Sequence, residues 1–394
     1  MIFIQLWSKN MYRFAIIGGG FGGLVSAIKL KDFILFEKSK TLGGCGGYFI
    51  RNNLAFNSGA TTIAFMGKNE FVYKFFENFG IKLNFKEHNS AFDIIDIQNN
   101  KILNFKEIIT SNEKIFEKIY HNPLMLMKFL FDFLKVSNLN EYEKNSLIIS
   151  LQSSKAPFEI FKKLSYDYYF STWAIFKEGF RNLIESIEER IIENGEILKE
   201  CEVVKIKKLS NYFEIETTNG IYKAKNLVLN LDPWNVNRIL GKNLLKLPNE
   251  NNLWNALVLY LTWKVKPLKN YYYLILDRDL KTIHAPFVSF FENGTITISS
   301  HYKNYYNEKE IDSLLNVLKS MNIEFQLITI ANSKSFEKYT GRYKGYVGGF
   351  EISYMNLIRA FFRGLSKEGI YFMGDYYFPG QSLSSAIIRA KWLL

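Results

Sequence analysis

Ile16-Ile-Gly-Gly-Gly-Phe-Gly-Gly-Leu24 decides the fold, because it sets a glycine-rich turn between a strand pattern and a helix pattern. Residues 12–17 are mainly apolar and predict a buried strand, and residues 24–30 have the apolar spacing of a helix. A second apolar run follows at 33–36 and ends at Glu37. The order strand, turn, helix, strand is typical of a dinucleotide-binding unit.

The glycines within this turn have the spacing G-x-G-x-x-G at Gly18, Gly20 and Gly23. The first permits a tight turn, the second lets the backbone approach a pyrophosphate, and the third lets helix and strand pack closely. The helix that follows offers free N–H groups and the positive end of its dipole to phosphates. A carboxylate at Glu37 can accept hydrogen bonds from ribose hydroxyls, and it disfavours a 2′-phosphate.

Two further features favour FAD over a nicotinamide dinucleotide. Gly43 and Gly44 begin a second glycine-rich turn close to Glu37, so a second stretch of backbone can meet the same cofactor. Near the other end of the chain, Gly374-Asp375 follows a short apolar run, and residues 379–385 lead into the last helix pattern. An acid there can hold flavin side-chain hydroxyls, and a helix N-terminus can face a reduced flavin.

These motifs resemble the FAD-dependent amine-oxidase/phytoene-desaturase superfamily, and most closely its carotenoid desaturase, carotenoid isomerase and retinol saturase branch. The resemblance is carried by residues 16–24, 36–49, 56–63, 195–206, 336–342, 348–350 and 369–391. It is specific for FAD binding. It is weak over 66–190 and 245–330, where substrate selectivity would lie.

The resemblance implies a role for each matching residue. For cofactor binding, it would place Gly18, Gly20, Gly22 and Gly23 at the pyrophosphate, Glu37 with Lys38 at the adenosine ribose, and Val203 at the adenine. It would place Gly43 and Gly44 along the FAD, and Gly374 and Asp375 at the ribityl or pyrophosphate part. It would place Gly59, Ala60 and Thr61 near the isoalloxazine, and Leu383, Ser384 and Ser385 against the flavin.

The sequence departs from the pattern of these relatives at two positions. Many relatives have Arg after the second Gly-Gly turn, where this chain has Cys45, and the usual Asp of the third motif is Asn57. The small thiol of Cys45 is predicted to serve packing. No acid–base pair is evident, so no catalytic residue is assigned, and His284 and His301 are interpreted as structural.

The predicted fold class is α/β, with a Rossmann-like FAD-binding domain of the glutathione-reductase type interleaved with a smaller α+β substrate domain. The FAD-binding domain is expected to comprise 11–66, 190–245 and 333–394, and the substrate domain 67–189 and 246–332. Residues 1–10 are interpreted as an extension that the fold does not need. Helices are expected around 70–79, 113–136, 141–151, 181–194, 308–321 and 383–393, and strands at 202–207, 212–217 and 221–229.

Composition excludes several classes of protein. The 394 residues are 48% apolar and 22% charged, which excludes intrinsic disorder, and two cysteines exclude a disulfide scaffold. Four histidines argue against a metal centre. We therefore expect a cytoplasmic protein without metal, of unassigned oligomeric state. The net charge of +12 allows contact with nucleic acid or an anionic membrane, but no nucleic-acid-binding module is recognised.

Residues 123–136 are apolar nearly all round, which is compatible with a core helix or with a patch lying on the inner face of a membrane. Three functions stay open. The first is an FAD oxidoreductase that desaturates, saturates or isomerises C–C bonds of an apolar substrate. The second is an FAD amine oxidase or another flavin oxidase of the same fold. The third is a non-catalytic flavin-binding protein at a membrane surface.

Overall fold

A computed structural model describes residues 11–89, 91–108, 114–122, 136, 138–151, 159–264, 270–351 and 353–393. Its strands are β1 Tyr12–Ile17, β2 Phe33–Phe36, β3 Tyr48–Arg51, β4 Leu54–Asn57, β5 Lys86–His88, β6 Asp93–Asp96, β7 Lys101–Asn104, β8 Trp173–Ile175, β9 Gly195–Leu198, β10 Val203–Lys208, β11 Phe213–Thr217, β12 Gly220–Leu229, β13 Asn255–Trp263, β14 Tyr272–Leu276, β15 His284–Phe290, β16 Thr295–Tyr302, β17 Phe325–Ala331 and β18 Ile370–Phe372.

The helices alternate with these strands along the chain. They are α1 Phe21–Lys29, α2 Phe71–Asn78, α3 Phe105–Ile108, α4 Ile115–His121, α5 Glu141–Leu151, α6 Glu159–Phe170, α7 Phe180–Ile191, α8 Pro233–Leu240, α9 Lys309–Ser320, α10 Ser333–Thr340, α11 Tyr354–Arg363 and α12 Leu383–Leu393. Short 3₁₀ turns occur at Gly44–Gly46, Glu250–Asn252 and Tyr343–Gly345.

The first sheet has the strand order β10-β11-β12-β1-β2-β9, and β18 also pairs with β12. Strands β1, β2, β9, β12 and β18 pair in parallel, whereas β10, β11 and β12 form an antiparallel meander. All four residues of β2 are buried, as expected of a parallel strand covered on both faces. The carboxyl ends of β1, β2, β12 and β18 therefore meet at one edge, where parallel α/β sheets bind ligands.

Helices α1, α7 and α12 cover one face of this sheet. Helix α1 buries nearly its whole surface, because β1 and β2 lie on one side and α7 and α12 on the other. The other face packs on a second apolar cluster that includes Val236 and Ile239 of α8. This arrangement confirms the predicted Rossmann-like α/β fold class.

The second sheet has the order β17-β13-β16-β15-β14-β6-β7. It is antiparallel except for the pair β6 and β14. Helix α9 packs on one face through Ile311, Leu314 and Leu318. The aromatic-rich helices α2, α4 and α6 share the large core with α1. This second, mixed part of the fold is of the predicted α+β type.

Several predicted elements are confirmed closely. The strands predicted at 202–207, 212–217 and 221–229 are β10, β11 and β12, and the helix predicted at 141–151 is α5. The predicted helix at 181–194 is shorter, since α7 ends at Ile191. The predicted domain boundary after residue 189 falls inside this helix, so the division of the chain into two domains stays a prediction.

Two predictions lie outside the described residues. They concern the extension at 1–10 and the apolar segment at 123–136, of which only Val136 is described. Among the helices that the structure describes, none combines the length and the apolar character needed to cross a membrane.

Candidate cofactor and substrate site

A cavity of about 1240 Å³ extends from the carboxyl edge of the first sheet to the second sheet. It exceeds the roughly 300–1,000 Å³ of a typical small-molecule pocket, so it suits a large ligand. Its walls come from segments as far apart as the first glycine turn and the start of α12. Most of the residues predicted to bind the cofactor line this one cavity.

The first glycine motif has the geometry that the sequence predicts. Gly18 has φ of +95°, and a Cβ there would lie 2.8 Å from the Asn230 carbonyl oxygen. A Cβ on Gly23 would lie 2.2 Å from the Gly18 carbonyl oxygen, so this glycine permits close packing of α1 on the turn. Gly18, Gly20 and Gly22 line the cavity, whereas Gly23 lies behind them.

Asn230 completes this motif, although the sequence analysis did not identify it. It directly follows β12, and its Nδ2 donates to the Gly18 carbonyl oxygen at 3.1 Å. A Cβ on Gly20 would come within 2.8 Å of that Nδ2, and one on Gly22 within 2.5 Å of Oδ1. The glycines are therefore needed to admit Asn230 as well as a cofactor. The feature of the sequence that could have identified Asn230 is its position directly after an apolar strand.

Glu37 closes the end of β2 and faces the cavity. Its Oε2 accepts from the Gly19 N–H and its Oε1 from the Ser39 N–H, each at 2.8 Å. Each carboxylate oxygen has capacity for a further hydrogen bond, so the side chain is held in place and can still accept from two hydroxyls. Lys38 also lines the cavity.

The second glycine turn lies directly against the first. Gly43 and Gly44 have φ of +101° and +57°, and Gly20 and Gly43 form an isolated parallel bridge. A Cβ on Gly44 would lie 3.3 Å from the Gly20 Cα. Two stretches of bare backbone thus form one cradle, and side chains there would fill it.

The remaining predicted residues divide into two groups. Those that line the cavity are Val203, Gly59, Ala60, Thr61, Gly374, Asp375, Leu383 and Ser385. Ser384 does not line it, which departs from the expectation. Its side chain is fully buried and its hydroxyl donates to the Ala64 carbonyl oxygen at 3.3 Å, because the helical turn directs it away from its neighbours.

An arginine that the sequence analysis gave no role occupies the wall beside Cys45. Arg342 donates from Nη2 to Asp375 Oδ2 at 2.7 Å, from Nη1 to the Tyr346 carbonyl oxygen at 3.1 Å, and from Nε to Cys45 Sγ at 3.0 Å. Three of its five N–H groups are used, and the side chain lines the cavity. A cation therefore stands beside Cys45, the position where many members of the superfamily that the sequence resembles have Arg. Arg342 could have been identified from the sequence, because Gly341-Arg342 lies inside a segment that carries the resemblance.

Asn57, the other departure from the pattern, has a structural role. Its side chain is buried, and Oδ1 accepts from the Phe180 N–H at 2.7 Å. Phe180 begins α7 after Gly179, which has no side chain to cap the helix. Asn57 therefore caps this helix from a neighbouring strand.

Five aromatic side chains and Leu164 form the far end of the cavity, which we call the aromatic wall. Its members are Phe116, Leu164, Tyr168, Tyr169, Trp173 and Phe287. The ring centroids of Tyr168 and Trp173 are 5.6 Å apart, within the range of favourable aromatic contacts. The wall adjoins the Gly59–Thr61 segment, because the Tyr168 hydroxyl and Thr62 Oγ1 are 3.0 Å apart. Burial raises the pKa of Tyr168 to about 12, so its hydroxyl is neutral at physiological pH.

The two histidines of the second sheet lie close together around Trp254. His301 lines the cavity, and burial lowers its pKa to about 4, with the neighbouring His284 adding to the effect. Burial also lowers the pKa of His284. Neutral imidazoles can act as bases as well as pack, so the structural interpretation of both histidines stays a prediction.

These observations fit an extended dinucleotide that carries two phosphates and a ribose. The glycine cradle brings backbone without side chains to the cavity wall, Glu37 can accept from hydroxyls, and Arg342 supplies a partly neutralised cation. The NAD(P)-binding Rossmann-like domain family matches residues 16–79 of the chain. No curated protein sequence matches this chain.

Solved structures share the whole fold at low sequence identity. An oxidoreductase from Methanosarcina mazei has a TM-score of 0.67 at 15% identity, and the match covers 96% of this chain and 98% of that one. Putrescine oxidase bound to putrescine has a TM-score of 0.63 at 11% identity, covering 97% and 98%. A fatty acid isomerase from P. acnes that produces CLA has a TM-score of 0.58 at 12% identity, covering 98% of each chain. At such identities the similarity shows the fold alone.

Proposed function

We propose that this protein is an FAD-dependent oxidoreductase that acts on C–C bonds of an apolar isoprenoid or polyene substrate. The observation that carries the proposal is the aromatic wall, which adjoins the segment predicted to contact the isoalloxazine. The carboxylates that line the cavity among the described residues lie elsewhere, on connections of the first sheet or on α10: Glu37, Glu200, Glu202, Asp232, Glu337 and Asp375. An apolar substrate is therefore favoured next to the flavin.

FAD would be held along the cavity by residues of this chain. The cradle of the two glycine turns would take the pyrophosphate, and Glu37 the adenosine ribose. Val203 would meet the adenine, and Asp375 with Arg342 the ribityl or phosphate region. When bound, FAD supplies a site that accepts or donates a hydride.

The chain itself would position the substrate, exclude water from it and donate one proton. The aromatic wall excludes water and orients an apolar chain by burial and ring contacts. Tyr168 is the polar group at the boundary between this wall and the Gly59–Thr61 segment, and its hydroxyl can hold or move a proton at the phenolic oxygen. Saturation of a C=C bond by a flavin hydride needs such a proton at the second carbon.

The fold is compatible with two substrate classes. A fatty acid isomerase and putrescine oxidase share it, and the first acts on an apolar chain whereas the second binds a diamine. An amine substrate would need an aromatic cage with acidic groups nearby, next to the flavin. Tyr168 and Tyr169 supply aromatic surface there but no negative charge, so the amine oxidase is the second candidate.

An absorbance spectrum of the purified protein tests the cofactor, before and after adding dithionite. The visible bands of an oxidised flavin that bleach on reduction would support the proposal. A colourless protein that takes up no added FAD would overturn it and leave the non-catalytic alternative.

The substrate class is tested anaerobically on the FAD-loaded protein. Apolar polyenes and unsaturated fatty acids are compared with putrescine as reductants of the oxidised flavin and as oxidants of the reduced flavin. Reaction with the apolar compounds alone is expected. Reaction with the diamine alone would favour the amine oxidase.

A further inference from the structure

Helix α11 carries exposed apolar side chains on its outer face. Phe362 is 62% exposed, Met355 51% and Leu365, just after the helix, 45%. Across a groove of about 530 Å³ that Phe362 also lines, Leu247 is 43% exposed. Together these residues form what we call the α11 patch. Clustered exposure of large apolar side chains is typical of an interaction surface.

Cations surround this patch. The charged residues that line the groove in the described part of the chain are Lys246, Arg359, Arg363, Lys367 and one acid, Glu351. Arg363 is bound to the carbonyl oxygens of Lys246 and Tyr376, whereas Arg359 makes only a 3.4 Å contact with Asn356. Nearby Glu368 is already paired with Lys208. The groove therefore has a net positive charge.

The inner face of the same helix reaches the proposed substrate site. Leu357 lines the large cavity. Phe361 contacts Phe378, with ring centroids 6.3 Å apart, and Phe378 also lines the cavity. A single helix thus separates the cavity from the α11 patch.

We propose that the α11 patch docks the protein on the surface of an anionic phospholipid bilayer and brings the cavity next to the lipid. Aromatic and aliphatic side chains would enter the boundary between headgroups and acyl chains, and Lys246 and Arg359 would face the anionic headgroups. The net charge of +12 adds long-range attraction to such a surface. A helix rich in both apolar and basic side chains favours lipid over a protein partner.

The docking rests on the α11 patch alone, whereas the passage of an apolar substrate from lipid into the cavity rests on the proposed function. These two parts fail separately. Vesicle binding can be measured without FAD or substrate. Flavin reduction by a detergent-solubilised substrate can be measured without vesicles.

The test is co-sedimentation of the full chain with vesicles of phosphatidylglycerol and phosphatidylcholine, compared with phosphatidylcholine alone. We expect binding to the anionic vesicles, reduced at least about tenfold in Phe362→Ser/Leu365→Ser, because two apolar side chains no longer enter the bilayer. Tyr305→Ser is the matched control, since Tyr305 is 70% exposed elsewhere on the surface. It should bind as the wild type does.

A charge variant gives a second readout. Lys246→Gln/Arg359→Gln should weaken binding and reduce its salt dependence, whereas Lys309→Gln/Lys319→Gln on α9 should not. The charge variant also keeps the proposal testable if the serine variant fails to fold. Unchanged binding of both patch variants, or no binding by the wild type, would overturn the proposal.

The oligomeric state tests the main alternative, in which the α11 patch binds a second copy of this chain. If the wild type forms a dimer that Phe362→Ser/Leu365→Ser abolishes, and vesicles are not bound, the α11 patch is a surface for a second copy and the proposal falls. If vesicles are bound, the serine variant should lose activity on vesicle-embedded substrate but retain it on detergent-solubilised substrate.

Discussion

Arg342 Nη2 lies 2.7 Å from Asp375 Oδ2, and this ion pair joins the segment after α10 to the carboxyl end of β18. Both side chains are largely withdrawn from solvent, and both line the cavity. The arginine also contacts Cys45, where many members of the superfamily that the sequence resembles have an arginine. A guanidinium has thus been supplied to the same wall from a different part of the chain.

Replacing this cation should weaken the binding of FAD. Arg342→Gln is expected to lower the affinity about tenfold or more, because a charge-assisted contact is lost and Asp375 is left without its cation. Titration of the apoprotein with FAD, followed by flavin fluorescence, measures the effect. Arg181→Gln removes a surface arginine that also has carboxylate partners, and should bind FAD as the wild type does. Equal affinities for Arg342→Gln and the wild type would remove Arg342 from the site.

The carboxylate of Glu37 should be needed for FAD even when its size is kept. Glu37→Gln replaces one accepting oxygen with an amide that cannot accept from the Gly19 or Ser39 N–H. We expect the flavin content of the purified protein to fall by about tenfold or more. Glu216→Gln, at the exposed residue of β11, is the control. Full flavin occupancy in Glu37→Gln would contradict the ribose assignment.

The contact between the glycine turn and Asn230 predicts a compensating pair of substitutions. Gly22→Ala places a methyl group 2.5 Å from Asn230 Oδ1, so the free energy of unfolding should fall by about 1–3 kcal/mol. Adding Asn230→Ala removes the obstacle and should recover part of that loss. Urea unfolding of the two single variants and the double variant measures the coupling. Strictly additive losses would show that the two residues do not constrain each other.

Asp167 should make the protein less stable as the pH rises. Burial raises its pKa to about 7, repulsion by Glu70 and Glu117 adds to this, and hydrogen bonds from the N–H groups of Phe116 and Ile115 oppose it. The folded state therefore binds a proton more tightly than the unfolded state, and its stability declines between about pH 4 and pH 7.

Asp167→Asn should remove this decline while keeping an oxygen for the Phe116 N–H. The difference in free energy of unfolding between Asp167→Asn and the wild type should shift in favour of the variant by more than about 1 kcal/mol from pH 5 to pH 8. Urea unfolding at both pH values measures the difference. The exposed Asp312→Asn should follow the wild type. A constant difference between Asp167→Asn and the wild type would show that Asp167 does not titrate in this range.

Tyr168 should matter for the reaction and little for FAD binding. Tyr168→Phe keeps the ring in the aromatic wall and removes the hydroxyl next to Thr62. Flavin content should stay the same, and the rate of reaction between reduced flavin and an apolar substrate should fall about a hundredfold. Tyr169→Phe is the matched control, since that hydroxyl donates to the Ser146 carbonyl oxygen. Equal rates for Tyr168→Phe and the wild type would exclude Tyr168 as the proton source.

The sequence was most informative where function and local structure depend on neighbouring residues. The turn after β1, the acid that ends β2 and the strands β10 to β12 could be located because each depends on short-range spacing. Asn230 and Arg342 could not be assigned in this way. The partners of Asn230 are 212 residues away at Gly18, and those of Arg342 are 297 and 33 residues away at Cys45 and Asp375.

The same dependence on distant contacts explains why the second sheet was predicted only as part of an α+β domain. Its central pairing of β13 with β16 and β17 depends on contacts that alternating patterns do not specify. The role of Asn57 as a cap for α7 joins residues 123 positions apart. A single sequence shows that such a residue is polar and surrounded by apolar neighbours, but not which helix it serves.

The order of strands in the first sheet has a consequence for biosynthesis. Strand β1 precedes the other described elements, yet its neighbour β12 begins only at Gly220, and β18 and α12 come later still. A ribosome must therefore release the chain through Asp375 before the wall that contains this residue can close on the glycine turns. Chains that stop before Asp375 would carry an open cavity, so a ligand held between the glycine turns and this wall would separate them from chains that contain the wall.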